Sequence, residues 1–360
     1  MARRPDNPRP GLLVIDKPAG ITSHDVVSRV RRLAKTRKVG HGGTLDPMAT
    51  GVLVVGVGKA TKLLTWVSGH SKEYVATIRF GIATNTDDAE GVPTRVRGCA
   101  SLSGEDLERA FAPLRGDIMQ VPTTVSAIKV GGKRAYALAR AGEDVTLAAR
   151  PVRVSRLEVL APPRLAEATE ANEANEANEA DEAGAGERPH TPRPVRVADV
   201  DVAVECSSGT YVRALARDAG EALGVGAHLI ALRRTRVGDF PLEGALTLDE
   251  LAAATAEAST AQSDEPVLPL IPLGHAARAM FPSLQLSGAE AGAFLHGQAP
   301  RRSPDELERW RLGDGAEAAS PREGTASRGD DTPIAALDPG GNVLGLVRID
   351  GERLRTVLVF

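Results

Sequence analysis

The 360 residues carry 44 Lys and Arg against 47 Asp and Glu, with 42% hydrophobic residues, 3% aromatics and two cysteines. That apolar content suffices for a core of about two domains, while no disulfide framework, no zinc-type Cys or His spacing and no membrane-crossing apolar run of about 18 residues is present. The net charge of −3 is unevenly spread: residues 165–187 hold eight acids and no Lys or Arg, and the remainder has five more basic than acidic residues, which permits a polyanionic partner.

Residues 1–10 are basic and Pro-rich, lack the apolar stretch of a secretory signal, and are expected to be disordered. Gly11–Ile15 reads as a short strand ending at Asp16-Lys17-Pro18, and Thr22 or Ser23 can cap a helix whose apolar face is Val26, Val27, Val30, Leu33 and Ala34. The run Gly40-His41-Gly42-Gly43-Thr44-Leu45-Asp46-Pro47-Met48-Ala49-Thr50-Gly51 then sets one carboxylate among glycine, threonine and proline, ahead of an apolar strand at 52–57. Such an Asp is either a turn residue bonded to its own backbone or a nucleophile or base presented to a cleft. Gly56-Val57-Gly58-Lys59-Ala60-Thr61 fails as a phosphate loop, because Leu53 stands where the leading Gly belongs and Ala60 follows the lysine.

Lys72–Phe80 alternates and reads as a strand; Tyr74 on it is either core or a platform for stacking a base. Thr84–Gly91 is polar but lacks the spacing and terminal Glu of a calcium loop. Ser103 and Asp106 form a capping-box pattern ahead of a helix at Leu107, Ala110 and Phe111. Gln120–Lys129, followed by Gly131, Gly132, Lys133, Arg134 and Tyr136, is a basic turn that is either a solvated hairpin or a phosphate contact, with residues 133–141 helical by periodicity. Val152–Val159 and Val195–Cys206 read as paired strands, and Pro162–Pro194, with its Glu-Ala-Asn repeat, as a surface insertion between them.

A helix is expected over 210–223, with Arg213 in its first turn. A cation there opposes the helix dipole unless it has an anionic partner, and Asp46 is a candidate. His228-Leu229-Ile230-Ala231-Leu232-Arg233-Arg234-Thr235 sets paired arginines beside an apolar segment, compatible with RNA phosphates. From about Pro272 the pattern is short strands and turns (Leu284–Ser287, Ile334–Leu337, Val343–Ile349, Leu354–Phe360), read as a small all-β domain interrupted near 313–331 by a flexible stretch.

Taken in order, Lys17-Pro18-x-Gly-x-Thr-Ser, Gly40-His41-x-Gly-Thr-Leu-Asp46-Pro, Lys72-x-Tyr74, Thr84-x-Thr86-x-Asp88-x-x-Gly91, Ser126-Ala127-x-Lys129, Gly209-Thr210-Tyr211-x-Arg213 and Leu232-Arg233-Arg234-Thr235 resemble the motifs of the TruB family of tRNA pseudouridine-55 synthases. The resemblance spans about residues 11–160 and 195–250, and more loosely the C-terminal β region. It implies an α+β pseudouridine-synthase fold, with a mixed, mainly antiparallel central sheet flanked by helices and a small C-terminal all-β PUA-like domain. It divides the chain into a catalytic domain at 11–271, with the acidic insertion at 162–194, and an RNA-binding domain at 272–360. The implied chemistry breaks the N1–C1′ bond of a T-loop uridine, turns the uracil and joins C5 to C1′, with no cofactor and no metal.

By the same resemblance Asp46 is the nucleophile or base at the ribose, and Arg213 its partner. Tyr74 stacks on the target base, His41 fills the space of the flipped nucleotide, Lys17 supports the site, and Leu232 lines the pocket. Tyr211 belongs to the substrate-binding set. Lys129, Lys133, Arg134, Arg233 and Arg234 are expected on the RNA backbone. The implied partner is the T arm of tRNA; a cytoplasmic monomer away from membranes is expected. The chain departs from the pattern at Gly42, where many relatives carry a larger residue, at Asn85 in place of an acid, and at Pro122-Thr123-Thr124-Val125-Ser126, which lacks a second Pro and a Tyr. The competing readings are a tRNA-binding and folding module, a synthase for another T-loop-like RNA, and, more distantly, a hydrolase using Asp46.

Overall fold

The computed structural model describes residues 9–124, 129–130, 133–134, 147–169, 194–258, 267–303, 305–306, 333–351 and 353–360. Residues 1–8, the Glu-Ala-Asn repeat, the stretch 313–331 and most of the helix read over 133–141 lie outside the described residues.

In chain order the first elements are β1 (Gly11–Lys17), α1 (Ser23–Leu33), β2 (Val39–His41), β3 (Thr50–Val57), α2 (Leu64–Gly69), β4 (Lys72–Phe80), β5 (Ile82–Thr84), β6 (Pro93–Val96), α3 (Gly104–Phe111), β7 (Gly116–Gln120), β8 (Lys129–Val130) and β9 (Lys133–Arg134). There follow β10 (Arg150–Val159), β11 (Arg164–Thr169), β12 (Pro194–Cys206), α4 (Val212–Ala222), β13 (Ala227–Val237), β14 (Phe240–Pro241), α5 (Leu248–Ala258), β15 (Ile271–Pro272), α6 (Leu273–Met280), β16 (Ser283–Gln285), α7 (Gly288–Leu295), β17 (Ile334–Leu337), β18 (Val343–Asp350) and β19 (Arg353–Val359).

The main sheet runs β15-β1-β3-β13-β4-β12-β10-β7, with β2 beside β3, β11 beside β12 and β14 beside β13. All its pairs are antiparallel except β3 with β13. β3 is buried along seven of its eight residues, which explains its unbroken apolar run. Its side chains alternate between two cores. Leu53, Val55 and Val57 meet Val26, Val27 and Val30 of α1 and Leu248 and Leu251 of α5. Val52 and Val54 meet Leu63, Val67 and, from the C-terminal part, Ala276, Phe281, Ala335 and Leu346. A third core joins Ile78 and Phe80 of β4 and Val200, Val202 and Val204 of β12 to Leu107 and Phe111 of α3 and Leu215 and Ala219 of α4.

Helix α1 starts where its pattern allows: Thr22 accepts from the Asp25 backbone N–H, and Asp25 reaches back to the Thr22 backbone. Two sequence expectations need correction. Lys133 and Arg134, read as the start of a helix, form a strand paired with Lys129 and Val130; two residues of sequence separate the strands, the spacing of a tight hairpin. The insertion read from 162 begins later, because Arg164–Thr169 extends along β12 as β11. Its alternation of Leu165, Ala166 and Ala168 with polar neighbours is weak enough to pass for low complexity.

The four-stranded C-terminal sheet, β16-β17-β18-β19, carries a parallel β16–β17 pair and antiparallel β17–β18 and β18–β19 pairs. The strand-and-turn reading omitted helices α6 and α7; α7, rich in Ala and Gly, gives little apolar contrast, whereas α6 has a clear apolar face of Leu273, Ala276 and Ala277 that eight residues made easy to overlook.

Candidate active site

Asp46 lies in the loop between β2 and β3, and the loop is held from several sides. The Ser23 hydroxyl donates to the Leu45 carbonyl (3.0 Å) and accepts from the Leu45 N–H (2.9 Å). Gly20 N–H donates to the Pro47 carbonyl (2.9 Å). Lys17, 0% exposed, donates to the carbonyls of Pro18, Ile21 and Pro47 at 2.8, 2.8 and 3.2 Å. Its pKa is lowered to about 8 by burial, against the pull of the Asp46 carboxylate.

Arg234 closes the loop from beneath. It donates from Nε to the Val52 carbonyl (2.7 Å) and from Nη1 and Nη2 to the Thr44 and Gly43 carbonyls (3.2 and 3.3 Å). Gly51 makes this approach possible: its φ is +99°, and a Cβ there would stand 2.2 Å from the Arg234 carbonyl oxygen.

The carboxylate meets α4. Arg213 Nε lies 3.0 Å from Asp46 Oδ2, with Arg213 4% and Asp46 34% exposed. The guanidinium is not satisfied by Asp46 alone: Nη1 lies 3.2 Å from Asp88 Oδ2 and donates to the Thr86 carbonyl (2.9 Å). Asp88 is itself fixed by the Thr86 hydroxyl (2.5 Å) and the Glu90 N–H (3.1 Å). One turn on, Arg217 lies 3.3 Å from Asp87, whose pKa is raised to about 6 by burial. The two arginines of one helix face thus clamp the β5–β6 loop.

Tyr74 of β4 packs half-buried against the same core. Burial raises its pKa, partly offset by the positive Arg234 guanidinium, and the Asp46 charge acts on it too. Leu232 is buried in that core and faces Ala76 in register. His41 packs edge-on against His24, with ring centroids 5.5 Å apart, and burial lowers its pKa. Glu90 is exposed, and its pKa is raised by partial desolvation and by the Asp88 and Asp46 charges.

Lys17, Tyr74 and Arg213 therefore act on Asp46, Leu232 belongs to the core that Tyr74 packs against, His41 packs on His24, and Tyr211 is the N-cap of α4, two residues before Arg213. The expected phosphate contact at Arg234 is corrected: the side chain is 2% exposed and bonds the loop carbonyls instead. Arg233 pairs with both oxygens of Asp16, at 3.1 and 2.6 Å. For Lys129, Lys133 and Arg134 only the backbone falls within the described residues.

Sequence reasoning quoted Asp88 and Ser23 within motifs and Gln120 within a basic turn, but gave none of them a role at the site. Asp88 had a further signal: a buried arginine needs more than one acceptor group. Gln120 had none, standing 91 residues from the backbone that it bonds.

Residues 31–171 match the family described as TruB family pseudouridylate synthase (N terminal domain), and residues 213–273 match the tRNA pseudouridylate synthase B C-terminal domain. A tRNA pseudouridine synthase B of Arthrobacter sp. (strain FB24) is 47% identical, covering 97% of this chain and 96% of that protein. The protein of the same name from Mycobacteroides abscessus is 46% identical, covering 98% and 96%. Among solved structures, a Cbf5-Nop10-Gar1 complex has a chain that superposes with a TM-score of 0.61 at 24% identity, covering 97% of this chain and 84% of that one. An H/ACA RNP bound to a substrate RNA containing 2′-deoxyuridine has one with a TM-score of 0.59 at 21% identity and the same coverage. At these identities the structural likeness concerns the fold.

Proposed function

Because the chain belongs to the TruB family of pseudouridine synthases, we propose that it isomerises uridine-55 in the T loop of tRNA to pseudouridine, with Asp46 as the group that acts on the ribose. The observation that carries this reading is the Asp46–Arg213–Asp88 arrangement: a carboxylate one-third open to solvent, held by a guanidinium almost fully withdrawn from it. A cation at 3.0 Å orients the carboxylate and offsets the desolvation that a bound nucleoside imposes on it, as either nucleophilic attack at C1′ or removal of the 2′ proton requires.

In the balanced sequence, the N1–C1′ bond breaks with its electron pair going to N1, the uracil turns within the pocket, C5 bonds to C1′ (displacing Asp46 where the carboxylate has attacked C1′), the C5 proton leaves and N1 takes one up. Burial keeps the Tyr74 phenol protonated and the Asp46 charge acts on it; in this reading its ring stacks on the uracil and its hydroxyl serves as acid or base. The target base must leave its stack to reach Asp46, and His41 occupies the vacated space. The remaining parts of this reading are a monomer in the cytoplasm that needs neither metal nor cofactor, with its C-terminal region from residue 272 serving as a PUA-like RNA-binding module.

The test is tritium release from tRNA transcript labelled with [5-³H]uridine. Release is expected from the wild-type transcript and none from one with uridine-55 replaced by cytidine; release from both would move the target elsewhere. Asp46→Asn is expected to abolish release while tRNA affinity stays within a few fold, and turnover surviving in that variant would remove Asp46 from its role.

A further inference from the structure

We propose that Gln120, at the end of β7, is a positioning residue for the reaction: its buried amide sets the start of α4 so that Arg213 meets Asp46. This rests on the role proposed for Asp46 above. Gln120 is 2% exposed. Its Nε2 donates to the Tyr211 carbonyl at 3.1 Å and its Oε1 accepts from the Tyr211 N–H at 2.9 Å, so both ends of the amide are spent on one backbone residue.

That residue is the N-cap of α4, and the Tyr211 side chain makes no capping hydrogen bond there. The Tyr211 carbonyl also accepts the first helical bond, from Leu215 N–H at 3.3 Å. The glutamine thus does from a strand 91 residues away what a capping side chain would do locally.

The position of the clamp gives it consequence. The segment between β12 and α4 includes Gly209 at φ +88°, a backbone free to swing without a tether. Arg213, two residues after Tyr211, makes three contacts at 2.9–3.2 Å to Thr86, Asp46 and Asp88. A displacement of about 1 Å at such a group costs roughly 100-fold in rate. The same region is tied once more, where Arg217 of α4 donates to the carbonyl of Val121, the residue after Gln120, at 2.7 Å. Gln120 and Arg217 together fasten the end of β7 to the face of α4 that carries Arg213.

The test uses the full-length chain with Gln120→Met, which keeps volume and removes both hydrogen bonds, and Gln120→Glu. Single-turnover tritium release and tRNA affinity are measured separately, beside wild type and Asp46→Asn. Gln120→Met is expected to lower the single-turnover rate constant roughly 10- to 100-fold while leaving tRNA affinity within about threefold. In Gln120→Glu the introduced carboxyl donates to the Tyr211 carbonyl only when protonated. The ratio of its rate to that of wild type is therefore expected to fall as pH rises from 5.5 to 9 and to recover on return, within one folded sample. Rates within twofold of wild type in both variants would overturn the proposal, as would a loss confined to tRNA affinity. If Asp46→Asn turns over normally, the reading of Asp46 fails; if Asp46→Asn is inactive and the Gln120 variants are not, only the positioning role fails.

Discussion

Arg213 carries its charge in the first turn of a helix, where the dipole opposes it, and does so 4% exposed. The dipole mismatch alone is worth about 0.3–1 kcal/mol, but burying a guanidinium costs several kcal/mol more unless acceptors replace its water. Two carboxylates and a backbone carbonyl supply them. Removing one should therefore disturb the other: Asp88→Asn is expected to cut single-turnover pseudouridine formation roughly 10- to 100-fold, with tRNA binding little changed. A variant of wild-type rate would show that Asp46 alone suffices to hold Arg213. At this scale the sequence was legible where charge and local backbone conflict. Arg213 needed an anion, and Asp46 was the exposed-loop carboxylate at hand. Arg234 was misread because two adjacent arginines look alike on paper, whereas alternation along β13 turns Arg233 toward Asp16 and Arg234 into the loop carbonyls. Both members of the pair are charged, so charge alone does not say which one faces inward with Leu232.

Among the elements, β3 is specified by more than its apolar run. Its parallel pairing with β13 sets Arg234 opposite Gly51, and the 2.2 Å clearance at that glycine leaves no room for a methyl group. Gly51→Ala is expected to cost about 2–4 kcal/mol in urea unfolding, from strain and overpacking together; an unchanged midpoint would mean that the two strands separate easily. In the C-terminal part, Ser287 and Glu290 cap α7 reciprocally, and Arg302 pairs with Glu290. Burial pushes the Glu290 carboxyl up, but the hydrogen bonds from Arg302 and Ser287 outweigh it and bring the pKa to about 2. A depressed carboxyl pKa stabilises the fold above its unfolded value and loses that contribution as pH falls from about 4.5 toward 2. Glu290→Gln should accordingly destabilise by about 2–3 kcal/mol at pH 7, with the gap closing through that window; a gap independent of pH would assign the loss to packing. The capping box was the readable signal for α7, as it was for α1 and α3, and it was missed because the surrounding Ala and Gly form no apolar stripe.

Across the whole molecule, the C-terminal sheet is not an appendage. Leu273, Ala276, Phe281, Ala335 and Leu346 share one core with Leu12, Val52 and Val54 of the main sheet. A chain ending at residue 271 would expose that face, so it should melt well below the full chain and associate in solution; an equally stable monomer would show that the shared core is dispensable. By contrast, deleting residues 171–192 leaves β11 and β12 complete and removes most of the excess acid, so turnover of tRNA is expected within about twofold of the full chain at moderate salt, any change appearing in the on-rate. A large loss of the single-turnover rate would give that segment a role in the chemistry. The strands of the C-terminal sheet were legible because the pattern changes near Pro272; the shared core was not, since nothing in a run of alanines tells which distant surface it covers.

The order of strands also bears on how the protein is made. β13 lies between β3 and β4 and is the strand that bonds to both. Until Val237 has left the ribosome, a nascent chain holds two half-sheets, each with an open apolar edge that invites pairing with another chain. From the completion of β4 at Phe80 to Val237, at about 5–20 residues per second, this exposure lasts roughly 8–30 seconds. Synthesis that pauses just before β13 is the point at which this chain most needs a chaperone, and a ribosome-stalled fragment ending before Ala227 should be the one that chaperones retain longest.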